Sequence, residues 1–445
     1  MAEEDVNKME NRQKNARALA LEVLTRCESG GYSNIALDTV IKRNDLTSSD
    51  RALMTALIYG VIERKITLDY IISSLSSIPN SKIEKDTRNI LRMGLYQLIY
   101  MQKIPAHAAL NETVSLANKR SKGFVNAILR SYQREGSKIA FPDKSDKVKY
   151  LSVKYSVGES LIEELLKTYS FEDCNNIFNA FSQIAPITLR VNNLKATREE
   201  VFAELENAQL TDFSPDGIVL QNAAVSELDC LKDGRVTVQD EASQICVRAL
   251  GAQKGDTILD VCACPGSKSF GAAMTMENEG QILAFDIHEN KLSLVEKGAE
   301  RLGISIISTR TQDARKPIEE LFGKADKIIC DVPCSGFGVI GKKPEIRYKD
   351  VKESASLPKI QYDILENVQN YLRVGGTLLY STCTILPDEN ENNIKKFLEN
   401  HKNFELVPFF VGDLEVESGM ITLLPHTHHT DGFFIAKLVK LSPSH

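Results

Sequence analysis

A multidomain chain is predicted: an all-α N-terminal domain, a small α+β module, and then an α/β domain on a parallel sheet. Three observations lead there. At 445 residues the chain is too long for one ordinary domain. Up to about residue 140 its apolar residues recur at helical spacing. From about residue 236 short continuous apolar runs alternate with amphipathic stretches, as in a parallel sheet covered by helices on both faces.

The helical pattern runs through "ARALALEVLTRC", "DRALMTALIYGVIERKITLDYIISSL" and "AHAALNETVSLANKR". The Gly30-Gly31 pair, and Asp45 with Ser48 to Asp50, punctuate it as loop or capping signals. The polar "FPDKSDK" at Phe141 reads as a linker, followed by two short helical stretches to about Phe181. Ile187 to Val191 then reads as a strand, and Thr197-x-x-Glu200 as a capping box that opens a helix. These boundaries give domains over 1–140, 141–235 and 236–445. In the last, "TILDVCA", "QILAFDI", "ADKIICDV" and "GGTLLYSTC" are the expected strands, and "ISIISTRT" is strand-like.

The acidic, amphipathic start lacks a signal peptide's apolar core, and no stretch stays apolar for the ~18 residues of a membrane span. The expectation is a cytoplasmic protein with no membrane partner. Nine cysteines without a CxxC pair argue against a disulfide framework or zinc ribbon. The net charge of -6 hides an asymmetry: residues 1–140 hold 21 Lys+Arg against 15 Asp+Glu. The positive excess concentrates after Ser81, on "KIEKDTRNILRMGLYQLIYMQK" and "NKRSKGFVNAILRSYQREGSK". Such helices suit a phosphate-contacting surface, although a solvated helix face has the same pattern.

In "ILDVCACPGSKSF" a strand leads into Pro265-Gly266-Ser267 and then an apolar helix, a turn that lets a ligand approach the backbone. Twenty residues past Gly266, Asp286 ends the next strand, placed for the ribose hydroxyls of a nucleoside. GxGxxG is absent, so a nucleoside without a pyrophosphate fits better. Asp313 and Asp331 follow the next two strand-like segments, and acids at several strand ends face one crevice. Together they read as a site for S-adenosylmethionine, whose sulfonium is cationic.

Cys334 in "DVPCSGFG" and Cys383 in "LLYSTCTILPDENE" each follow a strand. Adjacent strand ends in a doubly wound sheet bring such thiols to one crevice. Cys262, Cys264 and Cys330, in apolar strand contexts, read as buried small hydrophobes. A thiol pair permits a metal site, a redox disulfide or covalent catalysis. His426, His428 and His429 lie far along the chain and read as a polar loop, so no metal is expected; no CxxC spacing supports redox chemistry. Covalent catalysis suits carbon 5 of a pyrimidine, a poor nucleophile until a thiolate adds to carbon 6. Asp331 is placed to hydrogen-bond cytosine N3 and its amine, and a second thiol or base then serves elimination. A methylase of an amino group is disfavoured by Cys334, which stands where an aromatic ring would stack. Asp388-x-x-Glu391 resembles a capping box before "NNIKKFLEN".

"DVCACPGSKS", "DVPCSGFGVIGKKPEIRY", "STCTILPDENE" and "DGFFIAKL", in that order, resemble the motifs of RNA 5-methylcytosine methyltransferases of the RsmB/NOP/Sun group over residues 180–445. "PAHAALNETVSLANKRSKGFVNAILR" resembles a NusB-type RNA-binding domain. The resemblance implies a NusB-like domain, an RRM-like module and a Rossmann-like class I methyltransferase domain, with 16S ribosomal RNA as partner. It implies S-adenosylmethionine held by the loop Cys262, Ala263, Cys264, Pro265, Gly266, Ser267 and Lys268, with Asp286 on the ribose and Asp313 at the adenine. Asp331 would lie beside both cofactor and base. It further implies Cys383 as nucleophile and Cys334 as the residue that assists release; the residues alone leave the two thiols unranked. Cys264 and Ser267 stand where the family loop has Ala and Gly, and Ser267 is expected to make the turn less free. "GKKPEIRY" replaces a more usual Arg-Arg-His-Pro-Asp run, so RNA contacts there would differ. The other readings are cytosine methylation of a different rRNA or tRNA site, and a non-catalytic RNA-binding assembly factor.

Overall fold

Residues 15–28, 33–221 and 225–443 are described by a computed structural model, and the chain divides into two compact units, 1–163 and 164–445. Gly30-Gly31 and the first 14 residues lie outside the described residues. In the first unit every regular element among the described residues is helical: Ala16–Glu28, Ser33–Arg43, Ser48–Glu63, Lys65–Leu75, Lys85–Tyr100, Ala106–Ser115, Lys122–Glu135 and Lys147–Tyr155, besides short 3₁₀ turns. Their apolar faces meet in a core that includes Leu19, Met54, Leu57, Leu68, Leu91 and Leu129, each at most 1% exposed. Helices Ser48–Glu63 and Lys85–Tyr100 approach so closely that a Cβ at Gly60 would fall 1.9 Å from the Tyr96 ring. The cap of Ser48–Glu63 is Thr47, one residue before the expected Ser48 to Asp50 signal; its hydroxyl accepts from the Asp50 N–H at 3.1 Å.

Not all of the basic residues after Ser81 are free for phosphate. Arg92 is buried, its guanidinium forked onto Asp69 at 2.6 and 2.7 Å and paired with Glu28; Arg88 also reaches Glu28, at 3.4 Å. Exposed positive charge remains at Lys82, Lys85 and Lys103 and, further on, at Lys119, Arg120, Lys122, Arg130 and Arg134. After the irregular segment at 141, three helices rather than two reach Phe181: Lys147–Tyr155, Glu159–Leu165 and Phe171–Phe181. Left-handed Ser156 ends the first, and a Ser170–Asp173 capping box starts the third, local breaks that helical periodicity does not register.

In the second unit, strands β1 (Ile187–Val191), β2 (Ala208–Leu210), β3 (Gly217–Leu220) and β4 (Val236–Val238) form an antiparallel sheet in the order β2-β3-β1-β4. β4 starts just past the expected boundary at 235 and pairs with β1, Leu189 opposite Val238, instead of joining the large sheet. The Thr197 and Glu200 box is present as expected, with each side chain bonded to the other's backbone N–H.

The large sheet holds β5 (Thr257–Asp260), β6 (Gln281–Asp286), β7 (Ile307–Thr311), β8 (Ala325–Asp331) and β9 (Leu372–Thr382), all parallel. After the short pair β11 (Phe409–Val411) and β12 (Leu414–Val416), β14 (Phe433–Lys440) runs antiparallel to β9 and carries β10 (Phe404–Leu406) and β13 (Met420–Leu423). The order β10-β14-β9-β8-β5-β6-β7 reverses direction between β5 and β8. That switch point opens a crevice at the carboxyl ends of the strands. Apolar clusters lie on both sheet faces, one including Ile258, Ile282 and Ile329, the other Leu259, Ile328 and Leu378.

Candidate active site

A cavity of about 400 Å³ occupies this crevice. Its wall includes Cys262, Cys264, Asp286, Asp313, Asp331, Cys334 and Cys383, with Ile287, Val332, Ile360 and Ile364 supplying apolar surface. Parallel pairing brings residues distant in sequence to one rim: Asp331 is opposite Ser381 in the β8–β9 register, and Ala284 opposite Asp260 in β5–β6.

The loop that follows β5 only partly lines the cavity. Cys262 and Cys264 are half-buried on the cavity wall, so the expected buried hydrophobe holds only for Cys330, which is 0% exposed. The two differ because they follow the strand, whereas Cys330 lies inside it. Ala263, Pro265, Gly266, Ser267 and Lys268 do not line the cavity. The Ala263 N–H donates to the Phe285 carbonyl at 2.7 Å, tying the loop to β6. Gly266 takes φ 108°, open to glycine, and caps the helix Ser267–Thr275. Ser267 already sits in that helix, so the expected loss of freedom does not arise: only Gly266 needs the left-handed region.

Asp286 accepts the backbone N–H groups of Cys264 (3.3 Å) and His288 (2.9 Å); burial works against its charge, but these bonds hold its carboxyl below the usual range. Asp313 is gripped by Arg315 at 2.8 and 2.9 Å, which lowers its pKa too. Lys268, buried, donates to Asp331 at 2.6 Å, and the Ser381 hydroxyl donates to the other Asp331 oxygen at 2.7 Å. Burial opposes the Lys268 charge, yet Asp331 holds its pKa above the ordinary value. Asp260, to which the sequence reading gave no role, is 1% exposed; its Oδ2 accepts from Ser269 at 2.6 Å and its Oδ1 has no hydrogen-bond partner. Burial pushes this carboxyl up to about 7. Three carboxylates beside an apolar wall fit a nucleoside that carries a positive sulfonium.

The two thiols meet: Cys334 Sγ and Cys383 Sγ are 3.1 Å apart, and the Cys383 N–H points at Cys334 Sγ at 3.3 Å. A hydrogen bond from the Cys334 thiol favours the Cys383 thiolate, aided against burial by Lys268 and Lys343, so the Cys383 pKa is lowered. The Cys334 thiol is pushed up by the same bond, by burial and by the charges of Glu389 and Asp331. The geometry thus brings together two thiols that the residues alone left unranked.

Two readings near the site change. Asp388 and Glu391 do not form a capping box: the helix starts at Glu391, capped by Asn390 without a side-chain bond, because Pro387–Glu389 forms a 3₁₀ turn and Glu391 accepts from Thr422 at 2.7 Å. Within "GKKPEIRY" Arg347 turns inward, being 1% exposed and donating to the Phe181 carbonyl, while Lys342 pairs with Asp240 and with Asp431 at 2.8 Å. His426 and His428 lie on a short helix, Pro425–His428, and not in a loop. Among the described residues no group of three or more His, Cys, Asp or Glu is arranged to hold a metal, and no helix is long and apolar enough to cross a membrane.

Family models match three segments: a NusB family model over 14–134, a ferredoxin-like domain of RsmF/B-like methyltransferases over 159–226, and 16S rRNA methyltransferase RsmB/F over 247–439. The chain is 38% identical over 447 residues to a "Probable ribosomal RNA small subunit methyltransferase B" of Bacillus subtilis, covering 96% of this chain and 99% of that one. A "Ribosomal RNA small subunit methyltransferase B" of Escherichia coli is 34% identical over 446 residues, with the same coverage. Of solved structures, PH0851 superposes with a TM-score of 0.77 at 27% identity over 94% of this chain and 97% of that one. A methyltransferase homologue from Pyrococcus horikoshii gives 0.57 at 28% identity, over 65% of this chain and 98% of its own. With its NusB domain, ferredoxin-like module and Rossmann-like catalytic domain, the chain belongs to the ribosomal RNA small subunit methyltransferase B family, whose methyl donor is S-adenosylmethionine.

Proposed function

We propose that the protein methylates carbon 5 of a cytosine in 16S ribosomal RNA, with Cys383 as nucleophile and Cys334 as the residue of release. The observation that carries this reading is the pair of thiols 3.1 Å apart on the cavity wall beside Asp331. Cys262 to Lys268 form the cofactor loop, Asp286 takes the ribose and Asp313 the adenine end. S-adenosylmethionine supplies an electrophilic methyl group. Lys268 and Ser381 hold the two Asp331 oxygens, and the carboxylate would accept from the amine and from a protonated N3 of a cytosine flipped from the RNA, the N3 proton offsetting the charge that addition at carbon 6 places on the ring. The Cys383 thiolate adds to carbon 6, the S–C6 bond forms, and the displaced pair makes carbon 5 nucleophilic. After methyl transfer the carbon 5 proton leaves, its bonding pair restores the C5–C6 double bond, and the S–C6 pair returns to Cys383. Cys334 passes its thiol proton to the departing sulfur and takes the carbon 5 proton in its place.

Residues 1–140 serve RNA binding, 141–235 link and support, and 236–445 carry the chemistry, in the cytoplasm. Cys383→Ala is expected to abolish transfer of tritiated methyl groups to 16S rRNA while leaving cofactor affinity unchanged by calorimetry; retained turnover would refute the nucleophile. Bisulfite sequencing of rRNA from cells lacking the protein is expected to show one lost 5-methylcytosine in 16S rRNA.

A further inference from the structure

A buried polar network lies behind Cys334 that the mechanism above leaves unused. Glu389 is 1% exposed, yet its Oε1 has no hydrogen-bond partner. A buried carboxylate oxygen left unsatisfied is costly and calls for a reason beyond stability. Its Oε2 accepts from the Ser335 N–H at 2.9 Å and from Gln361 Nε2 at 2.8 Å. The same Gln361 amide donates to the Pro333 carbonyl at 3.0 Å. Pro333 and Ser335 are the two neighbours of Cys334, so both peptide flanks of the thiol are tied to one carboxylate–amide pair. The pair is itself held: Asn393 donates to Gln361 Oε1 at 3.1 Å, and the Tyr380 hydroxyl donates to the Glu389 carbonyl at 2.6 Å. The Ser335 hydroxyl donates to Thr384 at 2.8 Å, next to Cys383, so the clamp also sets one thiol against the other.

We infer that Glu389 and Gln361 are positioning residues that hold Cys334 for the release step. The inference rests on the covalent reading above and adds what makes Cys334 competent in it. Besides fixing the backbone, the Glu389 charge opposes ionisation of the Cys334 thiol, which keeps its proton available to the departing Cys383 sulfur.

The test compares Glu389→Gln and Gln361→Ala with Cys334→Ala in the full-length protein, using 16S rRNA and S-adenosylmethionine. Glu389→Gln keeps the volume and one acceptor oxygen for the Ser335 and Gln361 donors but removes the charge that opposes ionisation of Cys334. Its expected result is a kcat lower by about tenfold or more, unchanged cofactor affinity, and a protein–RNA adduct that survives denaturation, as in Cys334→Ala. Iodoacetamide labelling of Cys334, followed by peptide mass spectrometry, should begin at lower pH than in the wild type, a shift that general loosening of the fold would not give. Normal turnover without adduct in Glu389→Gln, while Cys334→Ala accumulates adduct, overturns the inference and spares the covalent reading. So does a folded variant that binds cofactor but forms neither adduct nor product, since attack and not release would then be lost. No adduct in Cys334→Ala removes the release reading itself, and the inference with it. If Glu389→Gln does not fold, Gln361→Ala is judged by the same outcomes.

Discussion

Cys383 owes its place on β9's carboxyl end to a register that sets Ser381 opposite Asp331, so the thiol, the carboxylate and its Lys268 partner converge on one point. Buried Lys268 and the Ser381 hydroxyl hold the two Asp331 oxygens, which fixes the orientation of that carboxyl. Asp260 is different: with no cation bonded to it, burial pushes its carboxyl up to about 7. A raised folded pKa means that the native state holds a proton the unfolded chain releases. Its contribution to stability is therefore complete below the usual carboxylate range and is lost as pH rises through about 7. Asp260→Asn is expected to flatten the fall of Tm between about pH 4 and 8, measured by scanning calorimetry of the cofactor-free protein; an unchanged slope would reject this.

Elements turn these residues into a site through their ends. The helix Ser267–Thr275 starts where the loop leaves β5, and Gly266 makes that start possible: at φ 108° a Cβ would be strained and would meet the Phe270 ring at 2.5 Å. Gly266→Ala is expected to cost about 1–3 kcal/mol of strain, relieved by a shift of the loop. Calorimetry should then show S-adenosylmethionine binding weakened by about tenfold, and wild-type affinity would count against the loop assignment. The small sheet braces this helix: Gln239 donates to the Ser267 carbonyl at 3.2 Å, and buried Arg190 to the Gly271 carbonyl at 3.4 Å. Local signals were legible where both partners lie within one turn, as with Thr197 and Glu200. They misled at Asp388 and Glu391, where Thr422, 31 residues away, takes the carboxylate.

For the whole molecule, the opposite charge of the two halves concerns the encounter with RNA rather than the chemistry. Long-range attraction to phosphate acts through exposed charge. Arg92, buried between Asp69 and Glu28, serves the helical core instead. The double charge reversal Arg130→Glu and Arg134→Glu, on the exposed side of Lys122–Glu135, is expected to weaken 16S rRNA binding and reduce its dependence on salt, with cofactor affinity unchanged. Filter binding over a salt series checks it, and an unchanged salt slope would exclude this helix as a phosphate contact.

By itself the sequence determined the succession of domain types, the parallel strands of the large sheet and the acids and thiols of the crevice, because periodicity and the sites at strand ends are local consequences of backbone geometry. It also set both thiols at strand ends. Only the tertiary structure decided that the two thiols meet, that Lys268 serves Asp331 from behind the cavity, and that Gln361 and Glu389 grip the flanks of Cys334. Those relations join residues 28 to 63 positions apart through hydrogen bonds closed by the folded sheet, and no local pattern encodes such a partner.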